Sequence, residues 1–137
     1  MSLVDYSALE SEINQAEAPK LLRKGEEVKA RIVSVRTGVS EKNNCAWFMP
    51  TFDVPDQPNV KEFNNFFWVL DSKLDPKQFS RELYHTQQFA KAFGIDLSRP
   101  FSPEDDLVGK EGWLVVGVQS NDEYGDQNTV TSYVAGR

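Results

Sequence analysis

From Asp5 to Ala16, Tyr6, Leu9 and Ile13 recur at the spacing of one helical face, which predicts a short amphipathic helix ending at Ala18-Pro19. After Gly25 the period changes. Val28, Ala30 and Ile32 alternate with Lys29 and Arg31, the pattern of a half-buried strand. The alternation slips by one residue at Ile32-Val33 and resumes with Val33 and Val35 against Ser34 and Arg36. A slip of one inside a long strand is what a β-bulge produces, and it bends the strand from one sheet toward another.

Thr37 to Asn44 is a polar loop, and the run CAWFMPTFDV, Cys45 to Val54, predicts a second strand. There Phe52 and Val54 share one parity and face the core; Trp47, Met49 and Thr51 share the other. A PDQPN turn leads to a third strand, Val60 to Leu70, apolar on both faces near its end, so that parity alone leaves the side of Phe63, Phe66 and Trp68 open. Because one residue of each adjacent pair must face inward, core packing is the expectation for Phe66 and Trp68.

Asp75 and Gly94 bracket the clearest helix of the chain. Asp75 suits the N-cap, Pro76 the first turn and Gly94 the left-handed C-terminal position, with Phe79, Leu83, Ala90 and Phe93 as the expected buried stripe. Ser102 before Pro103 is expected to cap a single further turn. Trp113 to Ser120 and Thr129 to Ala135 predict two last strands, joined by the polar hairpin loop NDEYGDQN.

Three strands, a helix and two strands predict a mostly β chain with one main helix. The expected form is a five-stranded Greek-key barrel of the OB type (β-β-β-α-β-β) behind a short N-terminal helix. Residues 1–24 then form the extension and 25–137 the domain. An open α+β sheet of the same elements is the competing architecture, and the slip in the first strand favours the barrel.

Length and composition narrow the class. A chain of 137 residues, 39% hydrophobic and 26% charged, suits one soluble domain. Its longest apolar run, Phe66 to Leu70, is too short to span a bilayer, and Asp5, Glu10 and Glu12 break up any secretory signal; a cytoplasmic location is expected, the host cytoplasm if the protein is viral. One cysteine, Cys45, excludes an internal disulfide, and His85 is the single histidine, so nucleophilic and metal chemistry lack their usual partners. Glu104 to Asp106 are better explained by the helix they open than by a divalent ion, and no glycine-rich phosphate loop is present. Neither an enzyme nor a cofactor is expected.

The net charge of −6 weighs against nucleic acid until its distribution is considered. Lys20 to Lys42 holds seven bases and three acids, whereas Glu104 to Asp126 holds seven acids and one base. Charges more than about 8 Å apart are largely screened at physiological salt, so a local basic region can act independently of the total.

Two of the three tryptophans and five of the nine phenylalanines fall within Cys45–Val54 and Phe63–Leu70, on the expected second and third strands. Aromatic rings on an open sheet stack on unpaired bases without demanding a sequence. Candidates for such an interface are Trp47, Met49, Phe63, Trp68 and, at the tip of the last hairpin, Tyr124. Lys29 and Arg31 on the first strand, with Arg36, Lys42 and Lys61 around the second, are the candidate phosphate contacts. Ordinary roles compete: Trp47 packed beneath the N-terminal helix, solvated lysines, a helix-packing His85. The same exposed aromatics would also suit a protein-interaction module, and an OB barrel can bind an oligosaccharide.

The stretches QFAKAFGIDL, DDLVGKEGWLVVGVQS and YGDQNTVTSYV resemble the C-terminal half of small bacteriophage proteins that bind single-stranded DNA. Ala92-Phe93-Gly94 stands for their helix-ending turn, Leu107-Val108-Gly109-Lys110 for the motif before the fourth strand, and Gly125-Asp126-Gln127-Asn128 for the hairpin before the fifth. TGVSEKNNCAWFMPTFDV is similar to their join between the first two strands. The resemblance implies an OB-fold protein that coats single-stranded DNA in phage replication, recombination or repair. Replication or recombination proteins are then further partners; a homodimer is the expectation of the interaction reading, in which the exposed aromatics form the interface. Where such proteins carry an acidic tail that recruits replication partners, this sequence ends in SYVAGR, and recruitment by that route is not implied.

Overall fold

Alternation of apolar and polar residues decides where the backbone pairs. The computed structural model describes residues 2–136. Its elements begin with a 3-10 turn at Ser7–Leu9, α1 at Glu10–Asn14, β1 at Glu27–Val39 and β2 at Ala46–Asp53. They continue with β3 at Phe63–Asn64, β4 at Phe67–Trp68, α2 at Pro76–Phe93, α3 at Pro103–Asp106, β5 at Glu111–Gln119 and β6 at Gln127–Val134.

β1 is long enough to pair twice. Its first half, Glu27 to Arg31, lies against β5, and Arg31 to Val39 lies against β2. The register with β2 shifts between Ile32 and Ser34, so Val33 is the extra residue and the bulge expected from the slipped alternation is present. The expected third strand is instead two short pieces, β3 and β4, both paired with β2 and interrupted at Asn65-Phe66. Phe67 takes the inward position there, which corrects the expectation that Phe66 and Trp68 would enter the core.

The result is an open antiparallel sheet in the order β3-β2-β1-β5-β6, with β4 also on β2. A closed barrel is not formed, since β3 and β6 are not paired strands. The gap between them is bridged in two places. At one end Lys20 pairs with Val60: the Lys20 N–H donates to the Asn59 carbonyl at 2.7 Å and the Lys61 N–H to the Lys20 carbonyl at 2.8 Å. Two residues on, Leu22 N–H donates to Asn128 Oδ1 at 2.8 Å, and Asn128 Nδ2 donates back to the Leu22 carbonyl at 2.9 Å and to that of Gly117 at 3.1 Å. A buried carboxamide is costly unless its donors and acceptor are occupied, and Asn128 meets that condition. At the other end the Asn65 amide nitrogen donates to the Tyr133 hydroxyl at 2.7 Å and to His85 Nε2 at 2.9 Å. Burial drives the Tyr133 phenol pKa well above its ordinary value, with the Asn65 hydrogen bond pulling the other way.

α2 closes the inner face. Asp75 accepts from the Lys77 N–H at 3.3 Å, and Gly94 takes the left-handed conformation at φ 66°, so both expected ends stand. The buried stripe differs from expectation. Phe89, Ala90 and Phe93 are buried, Leu83 is largely exposed, and His85 stacks on Phe67 with centroids 4.1 Å apart and planes at 7°. Phe67 also stacks on Phe48 at 5.0 Å, and Phe52 lies 5.6 Å from both Phe63 and Phe93. These rings form the centre of the core with Ile32, Leu107, Leu114 and Val116. Ser102 does not cap α3 with its side chain; its own N–H donates to Asp106 Oδ2 at 2.7 Å. No helix among the described residues is long and apolar enough to cross a membrane.

Candidate nucleic-acid interface

Residues that sit opposite one another in an antiparallel pair share a face. Phe48, Pro50 and Phe52 of β2 are buried, so Trp47, Met49, Thr51 and Asp53 occupy its outer face. The bulge at Val33 then becomes decisive. It resets the parity of β1 so that Ser34, Arg36 and Gly38 join that face, opposite Thr51, Met49 and Trp47 respectively.

Trp47 is half-buried and lies directly over Gly38. A Cβ added at Gly38 would come within 2.5 Å of Trp47 Cζ2, so only glycine gives the indole this seat. Trp68 of β4 stands across from Trp47, and Phe66 lies between them, its centroid 5.5 Å from that of Trp47 and 4.9 Å from that of Trp68. The Phe66–Trp68 contact is edge-to-face at 84°, a favoured geometry for two rings. Phe66 remains 38% exposed. The N-terminal helix is exposed along its whole length and does not cover Trp47.

The charges around this face divide into two groups. Toward the start of β1, Arg31 makes a two-pronged contact with Asp53, Nε to Oδ1 at 3.2 Å and Nη2 to Oδ2 at 2.6 Å, and Lys29 lies 3.9 Å from Glu111. The hydrogen bond and charge of Asp53, aided by Glu111, raise the Arg31 guanidinium pKa further. Of the five cations expected to contact phosphate, Lys29 and Arg31 are therefore already matched by carboxylates. Beyond the bulge, Arg36 is exposed beside Met49 and forms no ion pair among the described residues, and neither does Lys42 in the β1–β2 loop. Lys73 reaches the same loop, where its Nζ donates to the Asn44 carbonyl at 3.3 Å.

Among the expected site residues, Arg36, Trp47, Met49 and Trp68 come together, with Lys42 at the adjoining loop. Phe63 is in the core against Phe52 and offers no face to a ligand. Lys61 stands at the opposite end of the β2–β3 ladder, beside Lys20. Tyr124, 64% exposed, sits on the β5–β6 hairpin, and no ring contact joins it to Trp47. Phe66, Lys73 and Trp113 were not among the expected contact residues. Trp113 shares the outer face with Lys29, its register partner, which alternation in β5 would have indicated.

No protein-family model matches the chain, and no similar curated protein was found.

Proposed function

We propose that the protein binds single-stranded DNA with little sequence preference, through Trp47, Phe66 and Trp68 on the outer face of β2 and β4. Arg36, Lys42 and Lys73 serve the phosphates. The observation that carries this reading is the half-open aromatic trio beside unpaired Arg36, on a sheet face where Lys29 and Arg31 are already matched. Each ring offers a π-surface to a base, and stacking contributes about 1–3 kcal/mol per base whatever the base. The strand order with a helix before β5 also supports an OB-type barrel, one whose last seam is filled by Lys20–Leu22 and Asn65 in place of strand pairing. A role in phage replication, recombination or repair rests on the family resemblance alone.

Titrating an oligothymidylate against tryptophan fluorescence tests the reading. Saturable quenching is expected at low salt. Its affinity should fall with salt at a slope of about −2, since each of about three neutralised phosphates contributes about −0.7. Absence of saturable quenching at low salt would dispose of the proposal.

A second reading, a protein-interaction module, is favoured by one observation: Trp68 also borders an apolar groove that continues past β4 to Leu70, Leu97 and Phe101.

A further inference from the structure

Two apolar surfaces of this chain are left without a partner. The first is the N-terminal arm. Leu3, Val4, Tyr6, Leu9 and Ile13 are each 46–91% exposed, although Tyr6, Leu9 and Ile13 keep helical spacing and α1 is formed. An amphipathic helix is stabilised chiefly by burying its apolar face, so a five-residue helix open on all sides lacks what normally holds it. The second is a groove of about 700 Å³ between the end of β4 and the segment after α2, floored by Phe48, Trp68, Leu70, Leu97 and Phe101. Leu83 and Ala90 of α2, with Ile95 just after it, extend the groove. Leu97 at its centre is 51% exposed.

We propose that the arm of one copy docks in the groove of a second, and reciprocally, giving a two-fold dimer by arm exchange. Charge favours this occupant. Residues 2–19 carry Asp5, Glu10, Glu12 and Glu17 and no base. The groove rim carries Lys91 and Arg99; Asp96 faces Arg99 at 3.4 Å, which leaves Lys91 without an ion pair among the described residues. The tether favours exchange over self-docking. The arm is rooted at Lys20 beside Val60, whereas the groove lies past Trp68, at the far end of the ladder that runs from Phe52–Phe63 to Trp47–Trp68. Residues 15–19 span at most about 17 Å when fully extended, so docking on its own groove would pull the linker taut. The arm of a second copy escapes that constraint. An isologous pair doubles every contact, which helps a small groove reach the roughly 1,200–2,000 Å² that a stable interface buries.

Light scattering across a concentration series, on the full chain and on Leu9→Asp and Leu97→Asp, tests the exchange. Both substitutions are at exposed positions, and circular dichroism checks that the fold survives; a chain lacking residues 2–16 serves as a second arm variant. The wild type should approach twice the chain mass. Each variant should associate about tenfold or more weakly, because a carboxylate then sits in an apolar contact. An equimolar mixture of the two should recover association that neither shows alone, since each keeps the half that the other has lost. A wild type that stays monomeric, including one with its arm folded on its own groove, would overturn the proposal. So would a dimer indifferent to both substitutions, or a mixture without recovery. None of these outcomes depends on whether the protein binds DNA.

Discussion

Both halves of β1 turn cations to the outer face of the sheet and prepare them for different ends. Before the bulge, Lys29 and Arg31 face Glu111 and Asp53 across neighbouring strands, and the outer face is electrically settled. After it, Arg36 faces Met49, and the next outward residue is Gly38, beneath the Trp47 indole. One inserted residue separates the two regimes. A cation that already has a carboxylate gains little from a phosphate, whereas an exposed cation beside open rings supplies what a nucleotide needs.

Removing the ring is the strongest test of this contrast. Trp47→Ala should weaken binding to an oligothymidylate by about 1–3 kcal/mol in a fold that persists, read by fluorescence of the remaining tryptophans. An unchanged affinity would transfer the stacking role to Phe66 and Trp68. Gly38→Val comes next: its side chain collides with the indole, so affinity should drop by less than in Trp47→Ala, together with a shifted tryptophan emission. Smaller still is Arg36→Ala, which should reduce the magnitude of the salt slope by about 0.7, while Arg31→Ala leaves the slope alone. Equal slopes for the two variants would erase the distinction between the halves. Asp53→Asn sharpens the same point by releasing Arg31, and its slope should steepen by up to about 0.7.

A pH series sets the window for these measurements. Burial raises the Tyr133 phenol above its ordinary value, so the folded state holds that proton more firmly than the unfolded chain does. The corresponding stability is complete below about pH 10, the unfolded value, and is lost as pH rises toward the folded one. Urea midpoints should therefore decline above about pH 10, with the Tyr133 phenolate absorbance appearing as the protein unfolds. Phenolate absorbance from all four tyrosines in a protein still folded would contradict the burial.

Local chemistry was the legible part. Asp75, Pro76 and Gly94 set the ends of α2 through contacts within a few residues, and the slip at Val33 was visible as a broken period. Gly94, Gly109 and Gly125, each expected in a turn, all adopt positive φ. What failed was long-range. Phe63, Phe66, Phe67 and Trp68 stand in an apolar run without alternation, so only the break at Asn65-Phe66 decides which rings turn inward. Lys29 and Arg31 carried no mark of their carboxylates, because those lie on other strands. Closure was equally hidden: Leu22 and Asn128 are 106 residues apart, and nothing local marks an asparagine that joins a sheet edge to a segment before the first strand. In α2, Leu83 left the expected buried stripe, while His85 packs the helix onto the sheet by stacking on Phe67.

Lys20–Leu22 is both a stitch in the seam and the root of the N-terminal arm. Any partner that grips the arm therefore pulls on the margin of the sheet itself, where its few hydrogen bonds are made. Grip on residues 2–16 is thereby coupled mechanically to the seam between β3 and β6, which a short bridge and a side chain close in place of a strand pair.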